Sequence, residues 1–290
     1  MDTQIFREKL TETRNFWGRD IRDSDICEFY NHFDQEFSEE FSLFRYRPAD
    51  YMNIISLTNQ TLFLSPNGRM NDVFEGIPKS TPFEKYVKHK KKLDDLVIMA
   101  CFSENNNDPV MWGNYADSFQ GMCVEYDITK LFNSRNEHRK HIFPVIYENR
   151  RPFEHDIDDI ARDMVEICHN IEHNEVHDGD SLLNILPLFL TKSKNWAYER
   201  EWRLIYTKYQ QYNADDENLY KGMIDFPFVK AVYLGVRMDP RIKADIFKRI
   251  NDLNKESNTQ ITVYDSKFKE DGYELDFSRM KDPTNERRTI

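Results

Sequence analysis

The chain has 290 residues, 39% of them apolar and 14% aromatic, which is too rich in core-forming side chains for a disordered segment and near the upper limit of what one hydrophobic core fills. Lys and Arg number 40 against 51 Asp and Glu, and a net charge of -11 repels phosphate on average, so neither non-specific nucleic acid nor membrane is an expected partner. Only 9 glycines occur, with no G-x-G, G-K-[ST] or G-x-S-x-G, which excludes the dinucleotide fingerprint, the P-loop and the nucleophile elbow.

Residues 1–40 read as helices, with Ile5, Phe6, Leu10, Phe16 and Trp17 near helical spacing and Ile26, Phe29, Tyr30 and Phe33 on a second face. Ser42–Arg47 reads as a strand, Ala49–Thr58 as a helix and Thr61–Leu64 as a short strand. A turn-rich loop runs from Ser65 to Gly76. A charged helix over 82–94 precedes a buried strand, Leu96–Phe102. Asp108 caps a helix over 110–118 with Pro109 at its first position. Strands follow at Gly121–Asp127 and Ile142–Tyr147, then an amphipathic helix over 156–177 and a second helix, Leu182–Lys192. Glu199–Thr207 reads as a strand, Gln210–Lys221 as a polar surface loop, Val229–Val236 as a strand and Arg241–Asn254 as a helix. Strands at 260–265 and 272–277 close the order. Strands and helices mingle without βαβ regularity. The expected class is α+β: a mixed, mainly antiparallel sheet flanked by helices. A helical extension over 1–41, a single domain over 42–278 and a flexible tail over 279–290 complete the expected layout.

Cys27, Cys101, Cys123 and Cys168 form no C-x-x-C and sit among apolar neighbours, as small buried thiols do. The first ten residues hold Asp2, Arg7, Glu8 and Lys9 and no apolar run, so no signal peptide is expected, and a cytoplasmic location is.

The densest chemical signal is Lys192-Ser-Lys-Asn-Trp-Ala-Tyr-Glu-Arg-Glu-Trp-Arg203. Strand alternation puts Trp202, Leu204 and Tyr206 on one face and Glu199, Glu201 and Arg203 on the other. Two carboxylates side by side repel unless a cation lies against them, and Arg203 is the local partner. The face is either a polar cleft whose Glu acts on a substrate hydroxyl or a developing cation, or a solvated Glu–Arg pair. In Leu43-Phe-Arg-Tyr-Arg47 the aromatics alternate with Arg45 and Arg47, which suits binding of phosphate or carboxylate, or an ordinary edge strand. Trp112, Tyr115 and Phe119 follow Asp108-Pro109 at helical steps and serve either the core or a ligand platform. Asn71-Asp-Val-Phe-Glu75 closes a binding site or forms a turn whose Phe74 plugs the core. His169, His173 and His177 lie opposite Ile160, Met164, Cys168 and Ile171, on the wet face of their helix, and His173-Asn-Glu-Val-His177 is not H-E-x-x-H, so no metal is expected.

Phe44-Arg-Tyr-Arg47, Asn71-Asp-Val-Phe-Glu75, Met111-Trp-Gly-Asn-Tyr-Ala-Asp117 followed by Gly121-Met-Cys-Val-Glu-Tyr-Asp127, Trp196-Ala-Tyr-Glu-Arg-Glu-Trp-Arg203 and Tyr233-Leu-Gly-Val-Arg237 occur in one order. In that order they resemble a bacterial family catalogued as domain of unknown function 2971, over residues 42–278. Val73 stands where the family commonly has Pro. The order also resembles, more distantly, the ADP-ribosyltransferase fold, and members resemble components of phage-defence and toxin-like loci.

That resemblance implies an NAD-using enzyme with Glu201 and Arg45 as catalytic residues. The implied nucleotide-binding set is Arg45, Tyr46, Ser65, Trp112, Tyr115 and Arg203, with NAD as substrate and no metal. Glu201 holds a ribose hydroxyl and balances the charge that develops as the nicotinamide bond breaks. Arg45 takes a phosphate or the adenosine ribose, and Trp112 or Tyr115 stacks on a base. The alternative is a non-catalytic sensor or regulatory module of a defence system that docks a protein partner through residues 1–41. A nuclease is disfavoured, since no carboxylate and His cluster with a suitably spaced Lys is present.

Overall fold

The computed structural model describes residues 40–76, 97–151, 188–207 and 222–281. The helices expected over 82–94 and 156–177, those expected over 1–40 save for Glu40 itself, the loop over 210–221, His169, His173, His177, Cys27 and Cys168 lie outside the described residues. In chain order the described elements begin β1 (Ser42–Arg47), α1 (Tyr51–Thr58), β2 (Thr61–Phe63), β3 (Ser65–Pro66), β4 (Val97–Ser103), α2 (Pro109–Tyr115), β5 (Met122–Asp127) and α3 (Ile128–Asn133). They continue β6 (Ile142–Pro144), β7 (Ile146–Glu148), β8 (Thr191–Ser193), β9 (Glu201–Thr207), β10 (Met223–Asp225), β11 (Val229–Leu234), α4 (Pro240–Glu256), β12 (Thr262–Phe268) and β13 (Leu275–Arg279). The class is α+β, and the sheet is mixed and mainly antiparallel.

The chain divides into two compact units. One comprises Phe41–Leu62, Phe102–Ile128 and the chain from Asp225 onward. Its strands run in the order β13-β12-β11-β5-β1. β1 lies antiparallel to β5, with Arg45 opposite Val124 and Tyr46 opposite Cys123. β11 and β12 are parallel, and a parallel pair needs a long crossover, which the 17-residue α4 supplies. Each of the three longer described helices starts on an Asp whose carboxylate accepts a first-turn amide: Asp50 from Asn53, Asp108 from Val110 and Asp239 from Arg241. Pro109 and Pro240 follow two of these caps, where a missing N–H costs nothing. Leu43, Trp112, Phe226, Val232, Ile246 and Ile250 form the buried interior of this unit.

The other unit holds the described parts of Phe63–Cys101 and Thr129–Ile224. Here β9 lies between β4 and β6, β3 runs antiparallel to β4, and β7 pairs in parallel with β8. Trp202, Leu204, Phe143 and Phe189 are fully buried. Among the described residues no helix is long and apolar enough to cross a membrane.

Four differences from the sequence reading have local causes. α2 ends at Tyr115 because Asp117, Ser118 and Phe119 turn left-handed, with φ of 47°, 53° and 70°, and the amides of Ser118, Phe119 and Gly121 bond back to the carbonyls of Gly113, Trp112 and Ala116. The strand expected over Ile142–Tyr147 is two: β6 pairs with β9, the Val145 amide bonds the Glu201 carbonyl, and β7 turns to β8. Thr191 and Lys192 are strand rather than the end of a helix, because β8 is claimed by its pairing with β7. Ile128–Asn133 forms a short helix that the sequence reading did not assign, and its first amide bonds the Phe41 carbonyl.

Gly235 marks a close approach. A Cβ there would stand 2.2 Å from the Phe119 carbonyl oxygen and 2.7 Å from that of Gly121. The Arg237 amide bonds the same Phe119 oxygen, and the Gly235 amide bonds the Gly121 oxygen, so the backbone cannot yield cheaply. Gly235→Ala should cost about 3 kcal/mol, at the upper end for overpacking. Urea unfolding of the variant checks this, and an unchanged midpoint contradicts the tight approach.

Candidate functional site

Strand alternation on β9 sends Glu201 and Arg203 to one face and Trp202 and Leu204 to the other. Arg203 is fully buried and uses its planar fork on its own strand neighbour: Nε donates to Glu201 Oε1 at 2.8 Å and Nη2 to Glu201 Oε2 at 2.9 Å. The same Nη2 donates to Glu75 Oε1 at 2.7 Å, and Nη1 donates to the Phe189 carbonyl.

The second cation is Lys192, from β8. Its ammonium has three donors and meets three carboxylates: Glu199 Oε2 at 2.6 Å, Glu201 Oε2 at 3.0 Å and Glu75 Oε1 at 3.4 Å. Its charge also lies 4.8 Å from the centre of the Trp196 ring. The backbone explains how Glu199 and Glu201 both reach it. Residues Lys194–Glu199 form a 3-10 turn, and Arg200 stands left-handed at φ 45° and ψ 51° before β9 begins. Glu199 is therefore outside the strand yet bonded to the same ammonium as Glu201. Tyr147, opposite Lys192 in the β7–β8 register, accepts the Glu201 amide on its hydroxyl at 2.7 Å.

Glu75, Lys192, Glu199, Glu201 and Arg203 are all buried. Burial by itself would raise the Glu201 carboxyl, but Arg203 and then Lys192 outweigh it and bring the group down to about 2. Burial likewise works against the Lys192 charge, and Glu201 overrides it, holding the ammonium well above its usual value. Burial and then the Glu201 charge push the half-buried Cys101 thiol up, so it is no activated nucleophile. Among the described residues the cluster sets three carboxylates against two cations.

The structure brings Glu201 and Arg203 together, as expected of a Glu–Arg pair, but in a buried cluster rather than on a solvated face. Ser65, half-buried on β3, belongs to the same unit and pairs with Met99 of β4. Arg45, Tyr46, Trp112 and Tyr115 belong to the other unit. There Arg45 is buried with its guanidinium 5.8 Å from the Phe102 ring centre, and the Tyr46 hydroxyl donates to the Asn105 carbonyl at 2.7 Å. Trp112 is fully buried, edge-on to Tyr46 at 5.4 Å, with its indole N–H bonded to the Asn106 carbonyl. Tyr115 is half-buried on α2. This unit has its own buried carboxylate, Glu125, which accepts from Ser42 and Tyr233 and pairs with Lys230.

Sequence reasoning held Lys192 and Glu75 inside its motifs without giving either a role in the cluster, and missed Tyr147. For Lys192 a signal existed: two carboxylates at a spacing of two required a cation, and the motif that contains them starts with a lysine. Among the described residues no cluster of His, Cys, Asp and Glu is arranged to hold a metal.

Two outcomes follow from the cluster. Arg203→Met leaves Glu75 and Glu201 short of a partner and should cost about 3–5 kcal/mol, the usual penalty for breaking a buried ion pair. Equilibrium unfolding reads it, and a loss below about 1 kcal/mol contradicts the assigned pairing. The Glu201 carboxyl is lowered in the fold, so its contribution is complete above the unfolded value of about 4.3 and is lost as pH falls from there toward about 2. Stability of the native chain should drop through that window, and Glu201→Gln should flatten the slope. An identical acid slope in the two proteins contradicts it.

A family model described as a protein of unknown function (DUF2971) matches residues 111–204, a stretch that includes Lys192, Glu199, Glu201 and Arg203 and lies outside Glu75 and Arg45. No curated protein and no solved structure matches the chain.

Proposed function

We propose that this chain is an NAD-using enzyme of ADP-ribosyltransferase type, acting in the cytoplasm as a defence or toxin effector, with the carboxylate cluster on β9 as its reaction centre. The observation that carries the reading is the imbalance of the cluster. Among the described residues three buried carboxylates converge on two cations, and the negative members outnumber the positive ones where water is scarce. A fixed negative charge in such surroundings favours a reaction that develops positive charge, and breaking the bond between nicotinamide and ribose does so. Arg203 and Lys192 set the Glu201 carboxylate in place before any ligand arrives, so no reorganisation is needed at the moment of reaction. The burial of Trp112 suits it to a core rather than to a base platform, and the half-buried aromatics near the cluster are Trp196 and Tyr198, with ring centres 6.2 Å apart.

One observation favours the second reading, a non-catalytic regulatory module. Both oxygens of Glu201 already accept hydrogen bonds, and the residue is 4% exposed. In that reading the cluster clamps β8, β9 and the turn at Glu75 together and nothing reacts there.

Glu201→Gln separates the two. Under the enzymatic reading, purified chain releases nicotinamide from NAD and the variant, still folded by thermal melting, loses at least a hundred-fold in rate, since an amide cannot balance the developing charge. Release by folded Glu201→Gln at the native rate, or none from the native chain, refutes the catalytic role.

A further inference from the structure

We propose that Glu75 is a specificity-determining residue of this same site and accepts a hydrogen bond from a hydroxyl of a neutral or cationic sugar-bearing ligand. The inference rests on the enzymatic reading above and adds to it the chemistry of the ligand end that enters the cluster. Glu75 is 5% exposed, and its two oxygens are unlike. Oε1 accepts from Arg203 at 2.7 Å and lies 3.4 Å from the Lys192 ammonium, whereas Oε2 is buried and accepts nothing among the described residues. A buried carboxylate oxygen without a donor is costly, because the carboxylate has only acceptors to offer and has given up water to be there. The side chain is also held in place from its backbone. Asp72 Oδ1 accepts the Phe74 amide at 3.0 Å, the Asp72 carbonyl accepts the Glu75 amide at 3.3 Å, and Gly76, at φ 72°, turns its amide to the Leu188 carbonyl. A Cβ on Gly76 would come 3.0 Å from Asn67 Nδ2, and φ at Gly76 is in the left-handed region, so this position of the turn suits glycine.

The group that meets Oε2 must therefore be a donor. An anion would bring lone pairs toward a carboxylate that has only acceptors to offer, and is disfavoured at this oxygen by repulsion. A hydroxyl satisfies the oxygen at no charge cost, and a ligand with positive charge gains from the cluster as well. Glu75 would thus select the sugar end of a nucleotide over its phosphate end at this point.

The test uses the intact chain and three probes followed by calorimetry: nicotinamide riboside, which carries hydroxyls and a positive ring but no phosphate; NAD; and inorganic phosphate. Nicotinamide riboside should bind the native chain, and Glu75→Gln, which puts an N–H donor or an uncharged oxygen in place of the carboxylate, should weaken it ten-fold or more while melting as a folded protein. Equal affinity in the two proteins means that Oε2 is met by water alone and overturns the role of Glu75, leaving the enzymatic reading intact. Failure of the folded native chain to bind either nicotinamide riboside or NAD overturns both. Should Glu75→Gln not fold, the native chain decides: nicotinamide riboside binding without phosphate binding upholds the inference, and phosphate binding as tightly as nicotinamide riboside overturns it.

Discussion

The Arg203 guanidinium, with no exposed surface, is the constraint on which its unit is built. An arginine in such a place must spend its donors on acceptors of the protein, and these come from three separate segments: Glu201 on its own strand, Glu75 in the turn after β3 and the Phe189 carbonyl ahead of β8. Each of those segments is thereby tied to β9. Lys192 repeats the pattern with Glu75, Glu199 and Glu201, so two cations cross-link two strands, one 3-10 turn and one loop. Apolar side chains could hold these segments as well or better, because desolvating five charged groups consumes much of what their attraction returns. What an apolar core cannot provide is a carboxylate held ionised, and that property is the one the proposed chemistry uses.

The two units show different uses of a buried carboxylate. Glu125 is satisfied on both oxygens by Ser42, Lys230 and Tyr233, and the Tyr233 ring stacks on Tyr264 at 4.9 Å, so the group closes on itself within the sheet. Glu75 keeps an oxygen without a partner among the described residues. A fully satisfied network reads as architecture, and a buried oxygen left over calls for a donor from elsewhere.

Much of the fold was legible because local chemistry and tertiary context agree. Asp108-Pro109 and the aromatic steps after it announced α2, the alternation in Ser42–Arg47 announced β1, and Trp202 falls on the buried face that alternation assigns it. The failures came where tertiary pairing or backbone strain decides. Nothing in Asp117-Ser-Phe119 marks three successive left-handed residues, and Thr191-Lys192 carries no local sign that β7 will claim it. Of the site, the Glu201–Arg203 pair could be read from a spacing of two. Lys192 lies nine residues from Glu201 and Glu75 lies 128 from Arg203, and separations set by the fold leave no periodic trace.

The most direct measurement is a titration of the glutamate side-chain carboxyls by carbon-13 NMR, with Glu201 assigned from the Glu201→Gln spectrum. The account predicts that the Glu201 signal keeps its ionised position through the ordinary glutamate range near ~4.3 and for as long as the fold survives below it. A Glu201 signal that titrates near ~4.3 or above would mean that Arg203 and Lys192 do not hold the charge, and would contradict the preformed, ionised cluster on which the structure and its proposed chemistry both rest.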